Sequence, residues 1–204
     1  MIRRLVDILV AVLGLTLLAP LLALIALLVR VDSPGGPFYG GWRVGKDGRR
    51  FRMWKLRTMV RDADRLGPGI TAADDPRVTR LGRFLRRSKL DEFPQLFNLL
   101  SGALTLVGPR AEVPDIVARY TREQRRILAV KPGITGPGQI HYTTDQADSI
   151  PREAATDAYY VEHLLAPKLQ IDLEYLRRRT PLSDLRVLVE TVGVVWRGLV
   201  GHAG

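Results

Sequence analysis

Two adjacent carboxylates, Asp91 and Glu92, stand in the run Ser88-Lys89-Leu90-Asp91-Glu92-Phe93-Pro94-Gln95-Leu96, directly after Arg83, Arg86 and Arg87. A carboxylate can attack phosphorus, or it can hold a divalent cation. Attack on a diphosphate meets like-charge repulsion, which at about 4 Å is about 1 kcal/mol in water and about 4 kcal/mol at an effective dielectric of 20. Cations must offset that cost. Lys55, Arg57, Arg87 and Arg110 are the candidates for holding substrate phosphate. Mg2+ is the natural metal, because it takes oxygen ligands together with substrate phosphates, and Asp91 and Glu92 are its candidate ligands.

Pro94 fixes where these side chains stand. Proline is tolerated only in the first turn of a helix, so the pair belongs at the start of a helix running to about Leu100. Unpaired N–H groups and the positive dipole end favour an ionised Asp91 there. The same position suits a plain helix cap, and position alone does not separate the two readings.

The positioning elements begin with Ile8–Val29, 22 residues without a charge. As a straight helix the run measures roughly 33 Å, against a hydrocarbon core of about 30 Å. Pro20, preceded by Ala19, removes the helical partner of the Thr16 carbonyl, so a helix break is expected at that pair. Arg3 and Arg4 precede the run; Arg30, Arg43, Lys46, Arg49 and Arg50 follow it. Basic residues favour the cytoplasmic side, so both ends ask for one face. A re-entrant helix over residues 1–32 satisfies both, with a single span as the alternative.

Residues 33–204 are then expected to form a membrane-associated catalytic domain on the cytosolic side. It opens on a Gly/Pro linker at Ser33–Pro37 and a β-hairpin turning at Asp47-Gly48. A short helix and loop are expected over Arg61–Ala73, and a further helix from Asp75-Pro76. The latter carries an apolar stripe of Val78, Leu81, Phe84 and Leu85 between arginines. It suits either the headgroup layer or a solvated basic face. Gly133–Gly138 reads as a tight turn near an anion, Thr143–Thr156 as a polar loop, and Leu182–Leu199 as an interfacial or core helix. The fold class is therefore α/β, mainly helical with a small hairpin, plus a re-entrant N-terminal helix and interfacial amphipathic helices.

The chain of 204 residues carries a formal charge of +10. Residues 1–60 contribute ten Lys/Arg against three Asp/Glu, so the excess lies beside the apolar run, as for a basic collar on an anionic membrane face. No cysteine is present, which excludes disulfides and thiolate chemistry. His141, His163 and His202 are scattered without metal-ligand spacing, and no P-loop occurs. Charge alone also permits a non-catalytic, membrane-tethered protein that binds nucleic acid or acidic lipid, but that reading gives the Asp-Glu pair no task.

Five ordered motifs carry a resemblance: Lys55-Leu56-Arg57-Thr58-Met59, Asp74-Asp75-Pro76-Arg77, Leu90–Leu96, Leu106-Val107-Gly108-Pro109-Arg110 and Lys131-Pro132-Gly133-Ile134-Thr135-Gly136. Together they resemble the bacterial sugar transferases, namely the monotopic phosphoglycosyl transferases in their minimal catalytic form. The resemblance implies transfer of a phospho-sugar from a UDP-sugar to polyprenyl (undecaprenyl) phosphate, releasing UMP, as the first membrane step of a bacterial glycoconjugate pathway. It implies ping-pong kinetics, with Asp91 as nucleophile and a phosphosugar-aspartyl intermediate, and with Glu92 linked to Mg2+. It also implies phosphate contacts at Lys55 and Arg110. The implied partners are the UDP-sugar, polyprenyl phosphate and membrane lipid, with no nucleic acid; a homo-oligomer is compatible. The implied location is the bacterial inner membrane, cytoplasmic face. Two departures stand out: Ala19-Pro20 where relatives often carry Ser-Pro, and Gly136-Pro137-Gly138-Gln139 where Gly-Trp-Ala-Gln is common.

Overall fold

The apolar run becomes α1, Ile2–Asp32, which continues through Ala19 and Pro20 without interruption. The break expected there is not a gap in the helix: packing on both sides carries it past the one backbone bond that proline removes. One stripe of α1 meets protein along its whole length. Asp7, Ala11, Leu22, Ile25 and Val29 are buried. Between them, Leu18 joins the packed cluster and a Cβ at Gly14 would come within 2.9 Å of Leu96. The spacing of three and four is one helix face. The other faces leave Leu5, Leu9, Leu13, Leu17, Leu24 and Leu27 exposed. Among the described residues, α1 is the one helix long and apolar enough to cross a membrane.

The computed structural model describes residues 2–66, 75–142 and 157–200. Asp74, the expected 143–156 loop, His202 and most of the 61–73 stretch after Leu66 lie outside those residues.

Strands β1 (Phe38–Val44) and β2 (Arg50–Leu56) pair antiparallel, with Trp42 opposite Arg52 and Tyr39 opposite Lys55. The turn falls at the expected residues: Asp47 and Gly48 adopt left-handed φ of 56° and 75°. The following segment makes a 3-10 turn at Ala63–Arg65. The helix expected from Asp75 starts later, as α2, Arg80–Arg87, capped by Thr79 Oγ1, which accepts from Gly82 N at 2.9 Å. Asp75 instead accepts from Arg77 Nε and Nη2 at 2.9 and 2.6 Å, while Val78 is held extended by a bridge to Met59.

Helix α3 (Gln95–Ser101) ends on Gly102 at φ 82°. It leads to β3 (Thr105–Val107), which pairs parallel with β4 (Gly133–Thr135). Residues 133–135, expected within a turn, are thus a strand of a second two-stranded sheet beyond the expected hairpin. Between the paired strands lies α4, Pro114–Ala118. After β4 come α5 (Pro137–His141) and α6. The latter comprises Asp157–Tyr159, a π-helical Tyr160–Leu165 and Ala166–Arg177 in succession. Finally α7, Pro181–Val200, leaves Leu182, Leu185, Val189, Val192 and Trp196 exposed on one side.

The apolar packing falls into clusters. Leu22, Ile25 and Val29 of α1 meet Leu56, Leu85, Leu90 and Phe93. Val44, Ile116, Val117, Tyr120, Ile127, Leu165 and Leu169 join the hairpin end to α4 and α6.

Candidate active site

The dyad sits on a 3-10 turn, Leu90–Glu92, immediately before α3. Lys89 enters it at φ 57°, a left-handed conformation that a non-glycine residue adopts only at a cost. That reversal folds the dyad back against the end of α2. The flanking Leu90 and Phe93 pack on the second half of α1, so the lipid-type helix is itself a support of the site. Asp91 is 5% exposed.

Lys55 reaches the dyad from the penultimate position of β2. Its ammonium donates to Glu92 Oε1 at 2.7 Å and lies 3.9 Å from Asp91 Oδ2. Asn98 sets this approach. Its Nδ2 donates to the Arg52 carbonyl at 2.7 Å and its Oδ1 accepts from Trp54 N at 2.9 Å. The side chain thus acts as a short extra strand along β2, tying α3 to the residue beside Lys55.

Burial is the main influence on Asp91 and pushes its carboxyl above the usual range; Lys55, Arg86 and Lys89 pull against it, while Glu92 adds to the rise. The expected pull of the helix start toward the Asp91 anion is thus opposed by burial. Glu92 behaves oppositely. Burial opposes its charge, but Lys55 and Arg110 outweigh it and hold the group at about 2. One carboxyl is firmly anionic while its neighbour has heightened proton affinity, a split suited to two different roles.

Arg110 follows β3, and although burial works against its charge, the carboxylates of Glu92 and Glu112 raise its pKa. Behind it Glu112 Oε1 accepts from Tyr160 Oη at 2.6 Å and from Lys168 Nζ at 2.9 Å, all three groups being largely buried. Arg57 points elsewhere. Its guanidinium donates to the Ser33 and Pro34 carbonyls at 2.6 and 2.9 Å, closing the exit from α1. Arg87 is exposed at the end of α2, whereas its neighbour Arg86 donates to Thr58 Oγ1 at 2.8 Å and faces Asp91. The structure therefore brings Lys55 and Arg110 to the dyad, together with Arg86 and Lys89, which lie just before it in sequence.

For Mg2+ the donor chemistry fits: two carboxylates, hard oxygens at one edge of a cationic site. No group of three or more metal-ligating side chains converges among the described residues, so the remaining positions would fall to phosphate and water.

The carboxylate pair, ringed by cations and seated against α1, can now be set beside known proteins. The family model described as bacterial sugar transferase fits residues 1–198. The chain belongs to the bacterial sugar transferase family. It is 35% identical over 211 residues to the UDP-glucose:undecaprenyl-phosphate glucose-1-phosphate transferase of Escherichia coli, covering 100% of this chain and 41% of that protein. It is 38% identical over 168 residues to the UDP-N-acetylgalactosamine-undecaprenyl-phosphate N-acetylgalactosaminephosphotransferase of Aeromonas hydrophila, covering 79% of this chain and 39% of that one. The exopolysaccharide production protein ExoY of Sinorhizobium fredii is 36% identical over 208 residues, covering 95% and 84%. This bacterial sugar transferase chain thus spans about two-fifths of the length of the first two relatives.

Proposed function

We propose that the protein transfers a phospho-sugar from a UDP-sugar to polyprenyl phosphate and releases UMP, by covalent catalysis at Asp91. The observation that carries this reading is the buried Asp91 beside an anionic Glu92, ringed by Lys55, Arg86, Lys89 and Arg110 and seated on α1. An Asp91 carboxylate oxygen bonds to the sugar-bearing phosphorus of the donor while the bond to the UMP oxygen breaks. An oxygen of the lipid phosphate then bonds to that phosphorus, and the aspartyl oxygen leaves as carboxylate. Lys55 and Arg110 stabilise charge on the phosphoryl oxygens through both steps. Asp91 and Glu92 would hold Mg2+, which when bound neutralises part of the diphosphate charge. The relatives' names, which specify UDP-sugars and undecaprenyl phosphate, support the substrate classes.

The membrane arrangement in this reading is re-entrant, with the catalytic domain on the cytoplasmic face of the inner membrane. Both ends of α1 rest on the body that carries the dyad. At one end Arg4 donates to the Leu99 and Leu100 carbonyls, each at 2.7 Å, and Asp7 accepts from Thr105 Oγ1 and Leu106 N. At the other, Arg57 holds Ser33 and Pro34. Ties from both ends of α1 to one polar body support the re-entrant arrangement over a single span. The exposed faces of α7 and of Phe84 on α2 suit the headgroup layer.

The direct test is UMP release from a UDP-sugar with polyprenyl phosphate in Mg2+. Wild type should turn over, while Asp91→Asn, or excess chelator, should abolish release. Near-wild-type activity of Asp91→Asn would remove the proposed nucleophile.

A further inference from the structure

Gln139 lies on α5, and its Oε1 accepts from Arg110 Nη1 at 3.2 Å. A guanidinium only donates, so the amide oxygen must face Arg110 and the amide nitrogen is the spare end. That Nε2 is buried and has no hydrogen-bond partner among the described residues. A buried donor left unpaired is costly, so its retention beside a cation of the site points to an acceptor brought in by substrate.

The turn carrying Gln139 is held closely in place. Asp172, 1% exposed, accepts from Gly138 N at 2.8 Å. A Cβ at Gly136 would come within 2.2 Å of the Gly108 carbonyl oxygen, and one at Gly138 within 2.7 Å of Asp172 Oδ2. On the other side, Gly133 N donates to the Pro109 carbonyl at 2.8 Å, next to Arg110. The parallel pair β3–β4 thus launches Arg110 and Gln139 from adjacent strand ends toward each other.

We propose that Gln139 is a substrate-contacting residue, its Nε2 donating to a non-bridging oxygen of the donor diphosphate that Arg110 faces. This rests on the transferase reading, in which Arg110 binds phosphate. Gln139 then has two tasks on two atoms: Oε1 orients Arg110, and Nε2 reads the anion.

Two substitutions separate those tasks. Gln139→Met removes both, whereas Gln139→Glu keeps an oxygen acceptor for Arg110 but places a carboxylate where the phosphate oxygen would sit. In the UMP-release assay, kcat/KM for the UDP-sugar should fall about tenfold in Gln139→Met and about a hundredfold in Gln139→Glu. Equal or better activity of Gln139→Glu than of Gln139→Met overturns the proposal and shows that Gln139 acts only on Arg110. If Gln139→Glu does not fold, a double-mutant cycle with Arg110→Lys decides the matter. Multiplying losses support a direct contact, while a Gln139→Met change without effect in the Arg110→Lys background overturns it. A wild type that releases no UMP sinks the transferase reading itself; an active wild type with either overturning result sinks the Gln139 assignment alone.

Discussion

Replacing Lys55 with methionine removes the cation nearest the dyad while keeping most of the side chain's bulk. Its ammonium lies 3.9 Å from Asp91 Oδ2 and 2.7 Å from Glu92 Oε1, with Lys55 and Glu92 side chains 22% and 24% exposed. At an effective dielectric of 20, unit charges about 4 Å apart interact by about 4 kcal/mol. Partial exposure and the remaining cations reduce the net loss to about half, roughly 2 kcal/mol, which corresponds to about a 30-fold fall in kcat/KM. The pH profile should move as well. Lys55 is the largest attraction opposing the rise of Asp91, the group that must be a carboxylate to attack, so without it Asp91 takes up a proton at higher pH and the acid limb shifts upward. The assay is UMP release against pH, from about pH 5 to about pH 9. Activity within about threefold of wild type, with an unmoved acid limb, would refute the electrostatic account of the site.

Asp172 offers a stability test of opposite sign to the usual carboxylate. Burial raises it to about 6, so the folded state binds this proton more tightly than the unfolded chain does. Its contribution is greatest below about pH 4 and declines as pH rises through about 6, by about 3 kcal/mol in all. Asp172→Asn should therefore gain stability relative to wild type between those limits, measured by denaturant unfolding in detergent; a pH-independent difference would contradict the assignment. Asp7 is 4% exposed and accepts from Thr105 Oγ1 at 2.9 Å and Leu106 N at 3.0 Å. Asp7→Ala should cost about 3 kcal/mol, lowering Tm by about 6–12 °C, and an unchanged Tm would show that α1 is not anchored there. Single cysteines at Ile2 and Gly36 should both be labelled from the cytoplasmic side; labelling from opposite sides would rule out re-entry.

The dyad and its helix start were legible because Pro94 restricts the backbone locally, whatever lies around it. Asp47-Gly48 was legible for a similar reason: the pair tolerates left-handed φ. Long-range pairings were not. β3 and β4 have three residues each, too few for an alternating pattern, and they meet across 25 intervening residues. Whether Arg86 or Arg87 faces the dyad depends on the phase of α2 and the left-handed Lys89, neither of which adjacent identical residues reveal. Asp75-Pro76 carries a sound helix-start signal, yet Arg77 two residues on captures the carboxylate and the bridge at Val78 delays the helix. The protein-facing stripe of α1 is hidden because almost every position in it is apolar. Asp7 is the one residue whose burial the sequence could have flagged: a carboxylate at the edge of such a run needs partners. Gln139, Asn98 and the Glu112–Lys168–Tyr160 group carry no local signal and emerge only when α3, α5 and α6 are packed.

The central claim is that the Asp91 oxygen becomes bonded to phosphorus. Mass spectrometry of the purified protein incubated with a UDP-sugar and Mg2+, without lipid acceptor, tests it most directly. A phosphosugar adduct should appear on the peptide containing Asp91, and polyprenyl phosphate should discharge it. An unmodified Asp91 peptide in a preparation that turns over with both substrates would contradict the account.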